Sequence, residues 1–118
     1  MVIRQGDIYW VELAEPSGSE PGYRHPHVVI QNNVFNASRI STVMTCALTS
    51  NLKLAQVGGN VLLRHAEGNL PKRRVVNVSQ VYTVDSSRLL KRIGGLTGDR
   101  MREVIEGVRG VIEPKEPG

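Results

Sequence analysis

Thr42-Val43-Met44-Thr45-Cys46-Ala47-Leu48-Thr49 reads as a strand. Its β-branched and apolar residues suit a pleated surface, and polar positions do not recur at helical spacing. The apolar run at its middle predicts burial on both faces, so other strands must flank it. Upstream, Asp7-Ile8-Tyr9-Trp10-Val11-Glu12-Leu13 is a first strand and His27-Val28-Val29-Ile30-Gln31 a second. Between them, residues 14–26 carry three prolines and two glycines and read as a long loop. Asn32 to Asn36 turns the chain, because Asn tolerates left-handed backbone. Downstream, residues 51–60 form a loop ending in Gly58-Gly59. Asn60 to Arg64 and Arg74 to Val84 supply further strands around a turn at Glu67-Gly68-Asn69-Leu70-Pro71.

The period then changes. Met101, Val104, Ile105, Val108, Val111 and Ile112 recur at helical spacing, with Arg100, Arg102, Glu103, Glu106 and Arg109 facing away. Thr97 or Asp99 caps this helix, and an acid in its first turn complements the dipole. Gly107 and Gly110 each cost about 1 kcal/mol against alanine in a helix, which predicts close packing there against the sheet. Ser86 to Arg92 reads as a shorter helix. The expectation is a mainly β (α+β) fold: a small, curved, SH3-like barrel closed on one side by a C-terminal helix.

The chain has 118 residues, the size of one domain (1–118) that buries roughly two-thirds of its unfolded-chain surface. No apolar run approaches the ~20 residues of a membrane span, and the N-terminus has no signal-peptide core. The single cysteine, Cys46, excludes an internal disulfide, and no Cys/His spacing resembles a zinc site. Cytoplasmic localisation follows. Net charge is +4, and eleven of the fifteen cations are arginine, whose planar fork binds phosphate bidentately. That tilts the expected partner toward nucleic acid. Stacking recognition is not expected, since there are only five aromatic residues.

The stretch Gly18-Ser19-Glu20-Pro21-Gly22-Tyr23-Arg24-His25-Pro26-His27 puts an arginine and two histidines on a flexible loop leading into a strand. A cation, a titratable imidazole and an adaptable backbone suit phosphate-directed acid–base chemistry. His25 and His27 flank Pro26, and strand alternation would turn one of them to solvent. Trp10 reads as core or dimer interface, and Cys46 as a buried small hydrophobe. Lys72-Arg73-Arg74 reads equally as a solvated guard on a strand edge or as an RNA-backbone contact.

Arg4-Gln5-Gly6-Asp7-Ile8-Tyr9-Trp10, Gly18-Ser19-Glu20, Pro26 followed by Val28-Val29-Ile30-Gln31-Asn32, Leu48-Thr49-Ser50, and Gln80-x-x-Thr83-x-Asp85 occur in that order. In content and spacing they resemble the MazF/PemK toxins of type II toxin–antitoxin systems, over residues 4 to about 112. The resemblance implies the compact CcdB/PemK-type barrel, a homodimer, and cofactor-free, metal-independent cleavage of single-stranded RNA. It also implies inhibition by an acidic, MazE-like antitoxin. Together with the acid–base reading of the loop and the basic run, it leads to expected catalysis at Arg24, His25 and Thr49, and to expected RNA contacts at Ser19, Glu20, Tyr23, His27, Ser50, Asn51, Lys53, Lys72, Arg73 and Gln80.

This chain departs from the family pattern at one point. The family reads Gly-Ser-Glu-Gln and then Arg-Pro, whereas here Pro21 replaces the glutamine and His25 precedes Pro26, with Arg24 one residue earlier. Either the loop bulges so that Arg24 reaches the site, or His25 takes over as general acid or base. Two other functions stay open on the same fold: a non-catalytic inhibitor of a protein target such as gyrase, as in the CcdB toxins, and an inactive RNA-binding relative.

Overall fold

The computed structural model describes residues 1–13 and 24–118. Ser19, Glu20 and Tyr23 lie outside the described residues. Six strands, β1 (Asp7–Glu12), β2 (Arg24–Val29), β3 (Thr42–Thr49), β4 (Val61–Leu62), β5 (Val75–Asp85) and β6 (Leu89–Gly95), form one antiparallel sheet in the order β4-β5-β3-β2-β1-β6. A one-turn helix α1 (Asn33–Asn36) and the C-terminal helix α2 (Gly98–Ile112) complete the fold. The expected mainly β architecture with a packed terminal helix is therefore present. Its hydrogen-bonded order runs open from β4 to β6.

Alternation along the strands gives the sheet two apolar faces. Ile8, Val28, Cys46, Leu48, Val76 and Val78 pack with Met101 and Val104 of α2. Tyr9, Val11, Val29, Val43 and Leu89 form a second cluster on the other face. The middle strand is buried from both sides, as its apolar run predicts. Cys46 is inaccessible, and burial pushes its thiol up to about 12. Trp10 is half-buried and belongs to neither cluster, so it is not a core residue.

Three local readings are corrected. Ser86 to Arg92 is not a helix. Ser86–Arg88 makes one 3-10 turn, whose start is capped by the Asp85 carboxylate accepting from the Ser87 N–H at 2.9 Å. The chain then runs on as β6, because Leu89 to Gly95 pairs with β1 and covers an otherwise open edge. The second strand starts at Arg24, not His27, through pairs Glu12–Arg24 and Val11–His25. Residues 51–60 hold a 3-10 helix, Leu52–Gln56, capped by Asn51.

Helix α2 begins at the Thr97 cap, whose hydroxyl accepts from the Arg100 N–H at 3.2 Å. Of its three glycines, Gly98, Gly107 and Gly110, only Gly107 meets the sheet side: a Cβ there would collide with the Gly59 carbonyl and lie 2.9 Å from Val78 Cγ1. Gly59 itself has φ +87°, which favours glycine. Gly110 has only Lys115 Nζ near, at 4.0 Å, so its expected packing role is not observed. Arg100 ties α2 to the 66–70 turn: its Nε and Nη2 donate to the Glu67 carboxylate at 2.7 and 2.8 Å.

Candidate functional site

His25, His27, Thr49, Ser50, Arg74, Gln80 and Tyr82 line one cavity of about 190 Å³ on the face of the sheet away from α2. Three strands build it. The ladder between β2 and β3 includes the pair His27–Ala47, so His25 and Thr49 fall just beyond it on adjoining strands. Strand β5 pairs with β3 at Thr49–Val75, which brings Arg74 to the rim. Between Cys46–Val81 and Leu48–Val76 the register of β5 shifts, and this bulge delivers Gln80.

The two histidines lie two residues apart and therefore share a face. The expectation that one turns to solvent is corrected: His25 is half-buried at the rim and His27 is 1% exposed at the floor. His27 Nδ1 sits 2.8 Å from Thr45 Oγ1, and its ring packs against Tyr82 at 4.9 Å between centroids. Its Nε2 is buried without a hydrogen-bond partner. Burial first, then the proximity of His25, lowers the His27 pKa to about 4, so this imidazole is neutral at pH 7. Burial, then the nearby Arg74 charge, also lowers the His25 pKa from its ordinary value. His25 is thus an unprotonated base at neutral pH.

Thr49 Oγ1 accepts from the Asn51 N–H at 3.1 Å. The bond engages the oxygen and leaves the hydroxyl proton for a ligand. Asn51 spends its own side-chain oxygen on the Lys53 N–H at 3.2 Å. The β1–β2 ladder runs unshifted through Arg24, without the bulge that would swing that residue inward. Arg24 is exposed and sits on the strand face opposite His25. It is not among the cavity residues. Lys53, Lys72 and Arg73 are exposed outside the cavity, and Arg73 Nε donates to the Leu63 carbonyl at 2.8 Å. Gln80 Oε1 accepts from Asn77 Nδ2 at 3.0 Å.

Thr45 and Tyr82 were not singled out as site residues by sequence, and Arg74 stood only within the basic run 72–74, which reads equally as a strand-edge guard or an RNA-backbone contact. A signal existed for Arg74, the last polar residue before the Val75-Val76 strand. Its two basic neighbours left the whole run balanced between those two readings. Among the described residues no three of His, Cys, Asp and Glu converge closely enough to hold a metal ion.

An antiparallel sheet with a C-terminal helix and a cavity of imidazole, hydroxyl and guanidinium groups defines a class of small, mainly β proteins. The chain belongs to the PemK-like, MazF-like toxins of type II toxin–antitoxin systems, whose family model matches residues 4–112. It is 42% identical over 113 residues to a Mycobacterium bovis protein, endoribonuclease MazF2, covering 96% of this chain and 99% of that one. It is equally similar to endoribonuclease MazF6 of Mycobacterium tuberculosis, with the same coverage. Among solved structures, the MazE–MazF complex of Deinococcus radiodurans superposes with a TM-score of 0.78 at 22% identity, over 98% of this chain and 99% of that one. A mycobacterial endoribonuclease superposes at 0.76 and 17% identity, over 99% and 97%. At these identities the superpositions speak to the fold.

Proposed function

We propose that this protein is the toxin of a toxin–antitoxin module and an endoribonuclease that cleaves single-stranded RNA through the RNA's own 2′-hydroxyl. The carrying observation is that His25 and Thr49, from adjoining strands, open onto one cavity. The mycobacterial relatives named endoribonuclease support it over nearly their whole length. In this reading neutral His25 takes the 2′-hydroxyl proton as the 2′-oxygen bonds to phosphorus. The P–O5′ bond breaks and the departing oxygen takes a proton from solvent, leaving a 2′,3′-cyclic phosphate and a 5′-hydroxyl. Thr49 donates to a non-bridging oxygen and holds the phosphate in line. The chemistry needs neither a metal nor a protein nucleophile.

The slot before Pro26 thus supplies the base, and exposed Arg24, with Lys53, Lys72 and Arg73, follows the RNA backbone beyond the cavity. The same reading takes residues 1–118 as one cytoplasmic toxin domain, its sheet curled toward an SH3-like barrel. It pairs the chain as a homodimer, so that two sites form a longer basic groove. An acidic antitoxin competes for that groove, as the structures of relatives with MazE or a cognate antitoxin encourage. Incubating the protein with a long single-stranded RNA in excess EDTA tests the reaction. Cut fragments are expected, with cleavage abolished by one 2′-deoxy substitution at the cut site. A deoxy substrate still cut there refutes 2′-hydroxyl attack, and intact RNA with inhibited DNA supercoiling assigns a gyrase-directed toxin instead.

A further inference from the structure

Of the eleven arginines, only Arg74 and Arg100 are withdrawn from solvent. Arg100 is matched by two carboxylates, Glu67 and Glu103. Arg74 has no ion pair among the described residues. Its Nη1 donates to the Leu48 carbonyl at 3.1 Å, and its Nε is buried without a partner among the described residues. Among the described residues, the others that line the cavity include no carboxylate. A guanidinium has five N–H donors and stays charged in proteins, and a cation drawn out of water without a counter-charge is unfavourable until an anion arrives. The bond to Leu48, one residue before Thr49, fixes the guanidinium at the cavity that Thr49 also lines.

We infer that Arg74 is the phosphate-binding cation of this site, gripping the internucleotide phosphate that His25 and Thr49 flank. The inference rests on the RNA-cleavage reading above for the identity of its anion. It also accounts for the displaced arginine of the loop: histidine occupies the slot before Pro26, and the positive charge reaches the same cavity from the start of β5. Independent support comes from electrostatics, since Arg74 is close enough to lower the pKa of His25.

The test titrates inorganic phosphate into the wild-type protein and the Arg74→Gln, Arg74→Lys and Arg24→Gln variants, following the His25 ring and arginine Nε signals by NMR. Phosphate is expected to bind wild type and Arg24→Gln and to raise the His25 pKa. Binding should weaken tenfold or more in Arg74→Gln and partly recover in Arg74→Lys, which keeps the charge without the planar fork. In RNA cleavage, Arg74→Gln should lose on the order of 10²-fold, more than Arg24→Gln. The limb of its pH–rate profile set by His25 should move to higher pH, because a positive neighbour has gone. Equal phosphate binding and cleavage in Arg74→Gln and wild type overturns the inference, as does a wild type that binds no phosphate. A wild type that binds phosphate through Arg74 yet cuts no RNA upholds the anion site and removes the nuclease reading. An Asp/Glu-rich peptide held through Arg74 where phosphate is not overturns it in favour of a protein carboxylate.

Discussion

His27 Nδ1 and Thr45 Oγ1 lie 2.8 Å apart at the floor of the cavity, where both side chains are withdrawn from solvent. One comes from β2 and the other from β3, so this bond ties the strand bearing His25 to the strand bearing Thr49. A neutral buried imidazole meets its hydrogen-bonding need on one side through this hydroxyl. Its other nitrogen is buried with no hydrogen-bond partner among the described residues.

Removing both members of this couple should cost less than the sum of removing each alone. His27→Val leaves the Thr45 hydroxyl without its partner and is expected to lose about 2 kcal/mol, as is Thr45→Val for the imidazole. The double variant should be less destabilised than the sum by about 1 kcal/mol or more. Urea unfolding of the four proteins gives the coupling directly. Strict additivity would show that the 2.8 Å contact carries no energy.

Stability should fall on acidification through His27. Its folded pKa, about 4, lies below the ordinary 6.5. Above pH 6.5 neither state holds the proton, so its full contribution is present. Between 6.5 and 4 the unfolded chain binds a proton that the folded chain excludes, and roughly 3 kcal/mol is lost across that window. His25, also lowered, acts in the same direction. Unfolding measured from pH 7.5 to 4 should show a shallower loss in His27→Val than in wild type. Parallel curves would contradict the buried neutral state.

His25→Ala and Thr49→Ala should separate base from orienter. Each is expected to reduce RNA cleavage on the order of 10²-fold with the fold intact. Only His25→Ala should flatten the acid limb of the pH–rate profile. A Thr49→Ala enzyme of normal rate would return that hydroxyl to capping the Asn51 turn.

Gly107 and Gly110, both inside α2, should respond oppositely to alanine. At Gly107 the added methyl meets the Gly59 carbonyl and Val78, and overpacking there should cost about 2 kcal/mol. At Gly110 the space is open, so the helix should gain roughly 1 kcal/mol from lost backbone freedom in the unfolded chain. Thermal unfolding of the two single variants decides it. Stabilisation by Gly107→Ala would mean that α2 does not approach residue 59 so closely.

Residues 42–49 and 101–112 show what sequence alone determined about this protein. The β-branched run Thr42–Thr49 appears as β3 with the same bounds, and the apolar stripe through Met101 and Val104 packs α2 on the sheet from its Thr97 cap. These are properties of period and local chemistry, which neighbours in the chain suffice to set. The motif series from Arg4 to Asp85 placed the chain in its family for the same reason. The fate of Ser86 to Arg92 was a different kind of fact. Leu89-Leu90-Lys91-Arg92-Ile93 satisfies a strand or a short helix equally well, and only β1, some 80 residues earlier, decided for the strand. The site was decided in the same way. Arg74 looked like one of three surface cations, and its neighbours Lys72 and Arg73 did remain exposed. Pairing of Val75 with Thr49 carried it to the cavity, partly out of water and into the lining shared with a hydroxyl 25 positions away. Desolvation and charge compensation depend on which strands lie side by side, a long-range choice that no local spacing records.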